Sequence, residues 1–226
     1  GKISFETFAT VIRNSSDILT NLDSAISSQP RGSLDWVVSG VSLGSLVVSI
    51  ESRPRQEGVD FGAKVAESFV GGLKQIQRER TTPPFFSDYD LRKAQGMARS
   101  LRKDGAKAVM VRDVERQDVA TIKPESSVDL SQLINVHYKE TGSVEGKLEM
   151  ISIHGAPRFT VYHAITQHSM RCKFDPRQFL DAVKEALGRR VIVSGLVYFN
   201  FKHEPIRVEI EDIKTLPRED ELPTPG

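Results

Sequence analysis

Two short segments near the C-terminal end place cations and a phenol at every second position. In residues 158–165, Phe159, Val161, His163 and Ile165 alternate with Arg158, Thr160 and Tyr162. In residues 169–174, Met170, Cys172 and Phe174 alternate with Ser169, Arg171 and Lys173. A β-strand sends successive side chains to opposite faces. With the apolar set turned to a core, Arg158, Tyr162, Arg171 and Lys173 project from the outer face of two strands. Such cations neutralise about two or three phosphates and make binding salt-dependent. A phenol ring offers a base a surface to stack on. The competing reading is a solvated strand face with cross-strand charge partners and a partly buried Tyr162.

The other reactive residue types form no catalytic or metal-binding pattern. Histidines stand at 137, 154, 163, 168 and 203. No two of them have helical ligand spacing beside a carboxylate, as a zinc-protease motif requires. His163 has the inward parity and reads as a core or rim residue. Cys172 is the only cysteine, so an intrachain disulfide and a cysteine-based zinc cluster are excluded. It also points inward, where a thiol without a neighbouring base is inert. Residues 40–45, GVSLGS, lack the lysine of a phosphate loop and lie between two strand patterns, so they read as a turn. The expectation is a protein with no catalytic residues, no metal and no cofactor.

The elements around these segments are well punctuated. In SVEGKLEMISI, Val144, Leu148 and Met150 share one face, and Ile151 and Ile153 then take the other parity. That phase change marks a β-bulge, and Gly146 permits a close backbone approach. Asp175 and Pro176 open a helix. Its stripe is Phe179, Leu180, Val183 and Leu187, and Gly188 closes it. RRVIVSGLVYF is a further strand with Gly195 as a kink, and Ile206, Val208 and Ile210 point inward from the last one. Glu209, Glu211 and Asp212 are exposed there.

Residues 142–216 thus read as three strands, a helix and two strands, the order of an OB-fold. The segment VIVSGLVYFNFKHEPIRVEIEDI resembles the closing hairpin of OB-fold domains of the anticodon-binding and single-strand-binding type. The chain as a whole is similar to bacterial proteins that join an α+β front half to such a barrel. The resemblance implies a ligand groove over the second and third strands, flanked by the loops at residues 154–157 and 200–205. It therefore adds His154, Phe201, Lys202 and His203 to Arg158, Tyr162, Arg171 and Lys173. Tyr198 and Phe201 either join Tyr162 on that face or cover the barrel wall.

The front half reads helix, strand, strand, helix, and then the same order again. The first helix carries Phe5, Phe8, Ile12, Leu19, Leu22 and Ile26 after a Ser4 cap. A hairpin follows, with Trp36 and Val38 before its turn and Leu46, Val48 and Ile50 after it. The second helix aligns Phe61, Val65, Phe69, Leu73 and Ile76. RTTPPFFSD is a linker. Asp88 opens a helix to about Lys103, then come AKAVMVRDV and QDVATIKP as a strand pair. SSVDLSQLINVHY reads as a short helix or helical turn. The recurrence is either a degenerate duplication or the ordinary alternation of α+β domains. The basic stretch of Arg92, Lys93, Arg99, Arg102, Lys103 and Lys107 reads as a solvated helix face in preference to a phosphate-tracking surface. The expected organisation is an α+β domain over 1–140, an OB-like five-stranded barrel over 141–216 with one helix between strands three and four, and an acidic, proline-rich tail over 217–226.

The chain has 226 residues and a formal net charge of +1, from 31 Lys+Arg against 30 Asp+Glu. Any basic surface is therefore local. No apolar run approaches the roughly 18–20 residues that span a bilayer, and the expectation is a cytoplasmic protein without a membrane partner. Two functions remain open. One is a non-enzymatic module that binds single-stranded nucleic acid on the barrel face. The other is a protein-interaction scaffold or oligomerising adaptor. It would contact a partner or a second copy through the N-terminal helices, with Phe61, Phe69, Phe85 and Phe86 as anchors.

Overall fold

The computed structural model describes residues 3–29, 31–42, 47–56, 58, 60–153 and 156–217. The chain is α+β and forms two compact units, Gly1–Ser131 and Gln132–Gly226. The division precedes the expected 140/141 boundary, because residues 136–140 are already part of a long strand. The acidic tail from residue 218 onward lies outside the described residues. No helix among the described residues is long and apolar enough to cross a membrane.

The first unit contains α1 (Phe5–Ser27), the ribbon β1 (Leu34–Ser42) and β2 (Val47–Pro54), α2 (Gly62–Arg78) and α3 (Asp88–Lys103). The ribbon β3 (Val109–Asp113) and β4 (Asp118–Ile122) follows, and α4 (Ser126–Ile134) leads into the second unit. Ser4 caps α1 by accepting the Thr7 N–H at 3.1 Å. The buried stripe of α1 is Thr7, Val11, Asn14, Ser15, Ile18, Leu22 and Ala25. Leu19 and Leu22 of the expected stripe are buried, but its N-terminal part is corrected: Phe5 is 82 % exposed, and Phe8 and Ile12 are half-buried. The reason is a close, polar contact with α3. Thr7 Oγ1 donates to the Ser100 carbonyl and Asn14 Nδ2 to the Lys93 carbonyl. Small polar groups with hydrogen-bond partners can be buried where a phenyl ring does not fit.

Phe69 and Phe86 are corrected as docking anchors, because both are buried in this unit's own core. The Phe86 ring lies against Gly72, where a Cβ would come within 2.4 Å of Phe86 Cε2. Phe61 and Phe85 are half-buried. The basic stretch on α3 is largely compensated. Lys93 pairs with Asp17 at 2.6 Å, Arg92 and Lys103 approach Asp88 and Glu6 at 3.9 Å, and Arg102 donates to the Pro124 carbonyl at 3.4 Å.

Ser87, and not the expected Asp88, caps the N-terminus of α3, in a capping box with Asp90. The Asp90 carboxylate accepts from Ser87 N, Ser87 Oγ and Asn21 Nδ2 at 2.8, 2.6 and 2.9 Å. Burial nevertheless pushes its carboxyl up from 3.8 to about 6. The folded state thus holds this proton more tightly than the unfolded chain. The associated stabilisation is complete below the unfolded value and is lost as pH rises through 6. Replacing Asp90 with Asn removes the titration. The stability difference between wild type and Asp90→Asn is expected to change by about 1 kcal/mol between pH 5 and pH 7. Urea unfolding of both chains at the two pH values measures it, and a constant difference contradicts it.

The second unit holds β5 (Val136–Ser152), β6 (Arg158–Tyr162), β7 (Ser169–Lys173), α5 (Pro176–Glu185), β8 (Arg190–Asn200) and β9 (Pro205–Thr215). The strands hydrogen-bond in the order β5-β6-β7-β9-β8, and β8 returns to β5, closing the barrel. All pairings are antiparallel except β7 with β9. The last strand therefore inserts between the third and fourth, which hydrophobic alternation alone does not reveal. The 17-residue β5 serves two neighbours: its register with β8 runs from Val136 to Lys147, and its register with β6 from Lys147 to Ser152. A register shift between Leu148 and Met150 bends it between the two.

Glycine is required at two of these bends. A Cβ on Gly146 would lie 2.2 Å from the Tyr162 carbonyl oxygen. Gly195 has φ +153, and a Cβ there would lie 2.1 Å from the Glu209 carbonyl oxygen. The core is made by Val144, Leu148, Phe159, Val161, Met170, Cys172, Phe174, Val183, Val191, Val193, Val197 and Val208. Asp175 caps α5 by accepting the Arg177 N–H at 2.9 Å. Leu187 is corrected as a member of the α5 stripe: the helix ends at Glu185, and Leu187 is 51 % exposed. SSVDLSQLINVHY is likewise split, with the helix ending at Ile134 and residues 136–138 opening β5.

Candidate nucleic-acid interface

Strand pairing assembles the outer face residue by residue. Between β6 and β7, Arg158 stands opposite Lys173 and Thr160 opposite Arg171. Between β7 and β9, Arg171 stands opposite Arg207 and Lys173 opposite Glu209. Between β9 and β8, Arg207 stands opposite Tyr198. The intervening partners Phe159, Cys172 and Val208 are buried, so period two sends the charged set outward. Arg158, Lys173, Arg171 and Arg207 thus share one face of β6, β7 and β9, with Glu209 among them opposite Lys173. Lys173 and Arg207 are exposed, and Arg158 and Arg171 are half-buried. Arg158 Nη1 donates to the Ala156 carbonyl at 3.2 Å.

The Arg207 guanidinium lies 4.0 Å from the centroid of the Tyr198 ring, a cation–π contact that holds the charge against the barrel wall. Burial, followed by the hydrogen bond to Glu209, raises the Tyr198 hydroxyl above its usual range. The ring stays neutral at physiological pH and adds no charge to oppose a phosphate. Full burial likewise pushes the Cys172 thiol well above its ordinary range, which keeps it unreactive.

Tyr162 is corrected as an exposed stacking residue: it is 6 % exposed. The strand ends at Tyr162, and Val161 and Tyr162 are buried in succession. Alternation stops there because the chain turns, with Gln167 N donating to the His163 carbonyl and His163 N to the His168 carbonyl. His163 is therefore a half-buried turn residue, not an inward strand residue, and its Nδ1 accepts the Thr166 N–H at 3.2 Å. Ile165, expected in the core, is 87 % exposed. His154 lies outside the described residues. Lys202 and His203 are both exposed in the β8–β9 turn.

That turn carries aromatic residues that reading the chain did not place together. His137 and Phe201 have ring centroids 4.4 Å apart at 33°, and Tyr138 and Phe199 stack at 4.8 Å and 7°. His203 Nδ1 lies 3.4 Å from the Tyr138 hydroxyl. Asn200, fully buried, organises the turn. Its Nδ2 donates to the Leu133 carbonyl at 3.2 Å and Glu204 Oε2 at 2.9 Å, and its Oδ1 accepts Lys202 N at 2.8 Å and Glu204 N at 3.0 Å. Phe201 N donates to the Gln132 carbonyl at 3.1 Å. Arg207 was legible from its parity between Ile206 and Val208. His137 and Tyr138 were hidden because their segment has a helical hydrophobic pattern up to Ile134.

No group of three or more His, Cys, Asp and Glu side chains among the described residues is placed to hold a metal ion. Comparison of the chain with protein-family models, curated proteins and solved structures returns no match.

Proposed function

We propose that the second unit is an OB-type module that binds single-stranded nucleic acid without catalysis. The support from topology is the closed five-stranded sheet with a parallel β7–β9 pair and a helix after its third strand. Barrels of the OB type take oligonucleotides on the face of their second and third strands and on the adjoining loops. The observation that carries the reading is the cationic group Arg158, Arg171, Lys173 and Arg207 on that face. The net charge of the whole chain is only +1, so this concentration of positive charge is a local feature of the barrel.

Each phosphate neutralised on a single strand contributes about −0.7 to the slope of log affinity against log salt. Binding through this face is therefore steeply salt-dependent. Fluorescence anisotropy with a labelled single strand, at about 50 and 200 mM salt, tests it. The double substitution Lys173→Glu and Arg207→Glu is expected to weaken binding at least about tenfold at the lower salt. It should also flatten the slope by about 1.4. Absence of wild-type binding at low salt, or unchanged binding by the double variant, overturns the proposal.

A further inference from the structure

We infer that the end of the barrel where the β8–β9 turn meets the start of β5 is a stacking subsite for an unpaired base, built by the His137 and Phe201 rings. This inference rests on the nucleic-acid reading and adds to it a second contact of different chemistry. The cationic face holds phosphates of any strand. A ring platform discriminates whether a base is free to leave its neighbours.

Four observations converge on this end. His137 and Phe201 lie against each other, and Phe201 keeps 48 % of its surface exposed. Next to them the Tyr138 and Phe199 rings, opposite each other across β5 and β8, stack nearly parallel, and His137 meets Tyr138 edge to face at 5.7 Å. The platform is rigid. Asn200 uses both ends of its amide to fix the turn, and the Phe201 backbone is tied to Gln132. A ligand that stacks here does not have to order a loop first. Finally, exposed cations stand close by in the chain, with Lys202 next to Phe201 and Lys139 two residues after His137.

Aromatic faces beside cations match a base joined to a phosphate. A purely apolar protein segment would leave Lys202 and Lys139 without a counter-charge. A base inside a duplex has both faces occupied by its neighbours. Only an unpaired base can use the His137–Phe201 platform, and stacking of this kind tolerates every base because each has a π-face.

The experiment compares two labelled strands of equal length, one with all its bases and one in which several consecutive nucleotides are abasic. Wild type, Phe201→Ala, Phe201→Tyr and His137→Ala are titrated against each, and thermal unfolding confirms that each variant is folded. Phe201→Ala is expected to lose about tenfold in affinity for the base-bearing strand. Its affinity for the abasic strand and its salt slope should be unchanged. Phe201→Tyr, which keeps a ring, should retain wild-type affinity, and His137→Ala should show a smaller loss on the base-bearing strand alone. Equal losses on both strands, or no loss on either, overturn the subsite. Should Lys173→Glu with Arg207→Glu abolish binding while Phe201→Ala and His137→Ala leave it intact, the subsite falls and the phosphate-binding face stands. Should wild type bind neither strand at low salt, both fall together.

Discussion

Gly146→Ala is expected to lower the melting temperature of the barrel by about 10–20 °C, while Gly142→Ala in the same strand leaves it unchanged or slightly higher. The two glycines differ in what faces them. At Gly146 the new methyl meets the Tyr162 carbonyl oxygen at 2.2 Å and Val161 Cγ1 at 2.6 Å. The first of these is backbone, so β6 must move away from β5 at the pairs Lys147–Tyr162 and Leu148–Val161. Overpacking that displaces backbone costs on the order of 3 kcal/mol, a large share of the stability of a small unit. At Gly142 the only neighbour within range is Val197 Cγ2 at 3.7 Å, an ordinary contact. Alanine there only restricts the unfolded chain. Calorimetry on the full chain measures both. Similar shifts for the two substitutions mean that the β5–β6 approach is not what holds the barrel closed. The functional consequence is direct: β6 carries Arg158, and its displacement breaks the cationic group.

Asn200→Ala is expected to destabilise the barrel by about 2–4 kcal/mol. One amide satisfies two acceptors and two backbone donors at the β8–β9 turn. Removing it leaves the Leu133 carbonyl and the Lys202 and Glu204 N–H groups without those partners. Networks of this kind are costly when broken in part, since each buried orphan bears its own desolvation penalty. Asn200→Asp makes the sharper test. It preserves shape and the Oδ1 acceptor, but replaces the donor with an oxygen facing the Leu133 carbonyl and the Glu204 carboxylate. It is therefore expected to cost as much as alanine, and the loss should ease as the pH is lowered. Urea unfolding of the three chains measures this. If Asn200→Asp is as stable as wild type at neutral pH, the hydrogen-bond argument fails. Because Phe201, Lys202 and His203 stand in the same turn, both substitutions should also weaken binding of the base-bearing strand.

What could be read without coordinates followed from local periodicity. The alternation in residues 158–161 and 169–174 located β6 and β7 and sent Arg158, Arg171 and Lys173 outward, because period two is a property of the strand itself. The phase change between Met150 and Ile151 pointed to a bulge in β5 for the same reason, and the register shift lies just before it, between Leu148 and Met150. Reading failed where an element ended or where a partner lay far along the chain. Tyr162 continues the alternating pattern, yet the strand stops there and the side chain is buried. Phe5 looks like core, yet α1 packs on α3 through Thr7 and Asn14. Phe69 and Phe86 look like candidate anchors until α2 and the segment before α3 fold against each other.

The amino-acid order by itself determined the order of helices and strands and which parity of β6 and β7 meets the core, since these depend on neighbours within a few positions; it did not determine where β5 begins or where β6 and α5 end. Tertiary structure alone decided that Arg207 joins Arg171, through the parallel β7–β9 pairing, and that His137 meets Phe201, through a β5–β8 pairing that spans more than sixty residues of chain. No local pattern encodes such contacts, because they arise only when barrel closure makes distant strands neighbours.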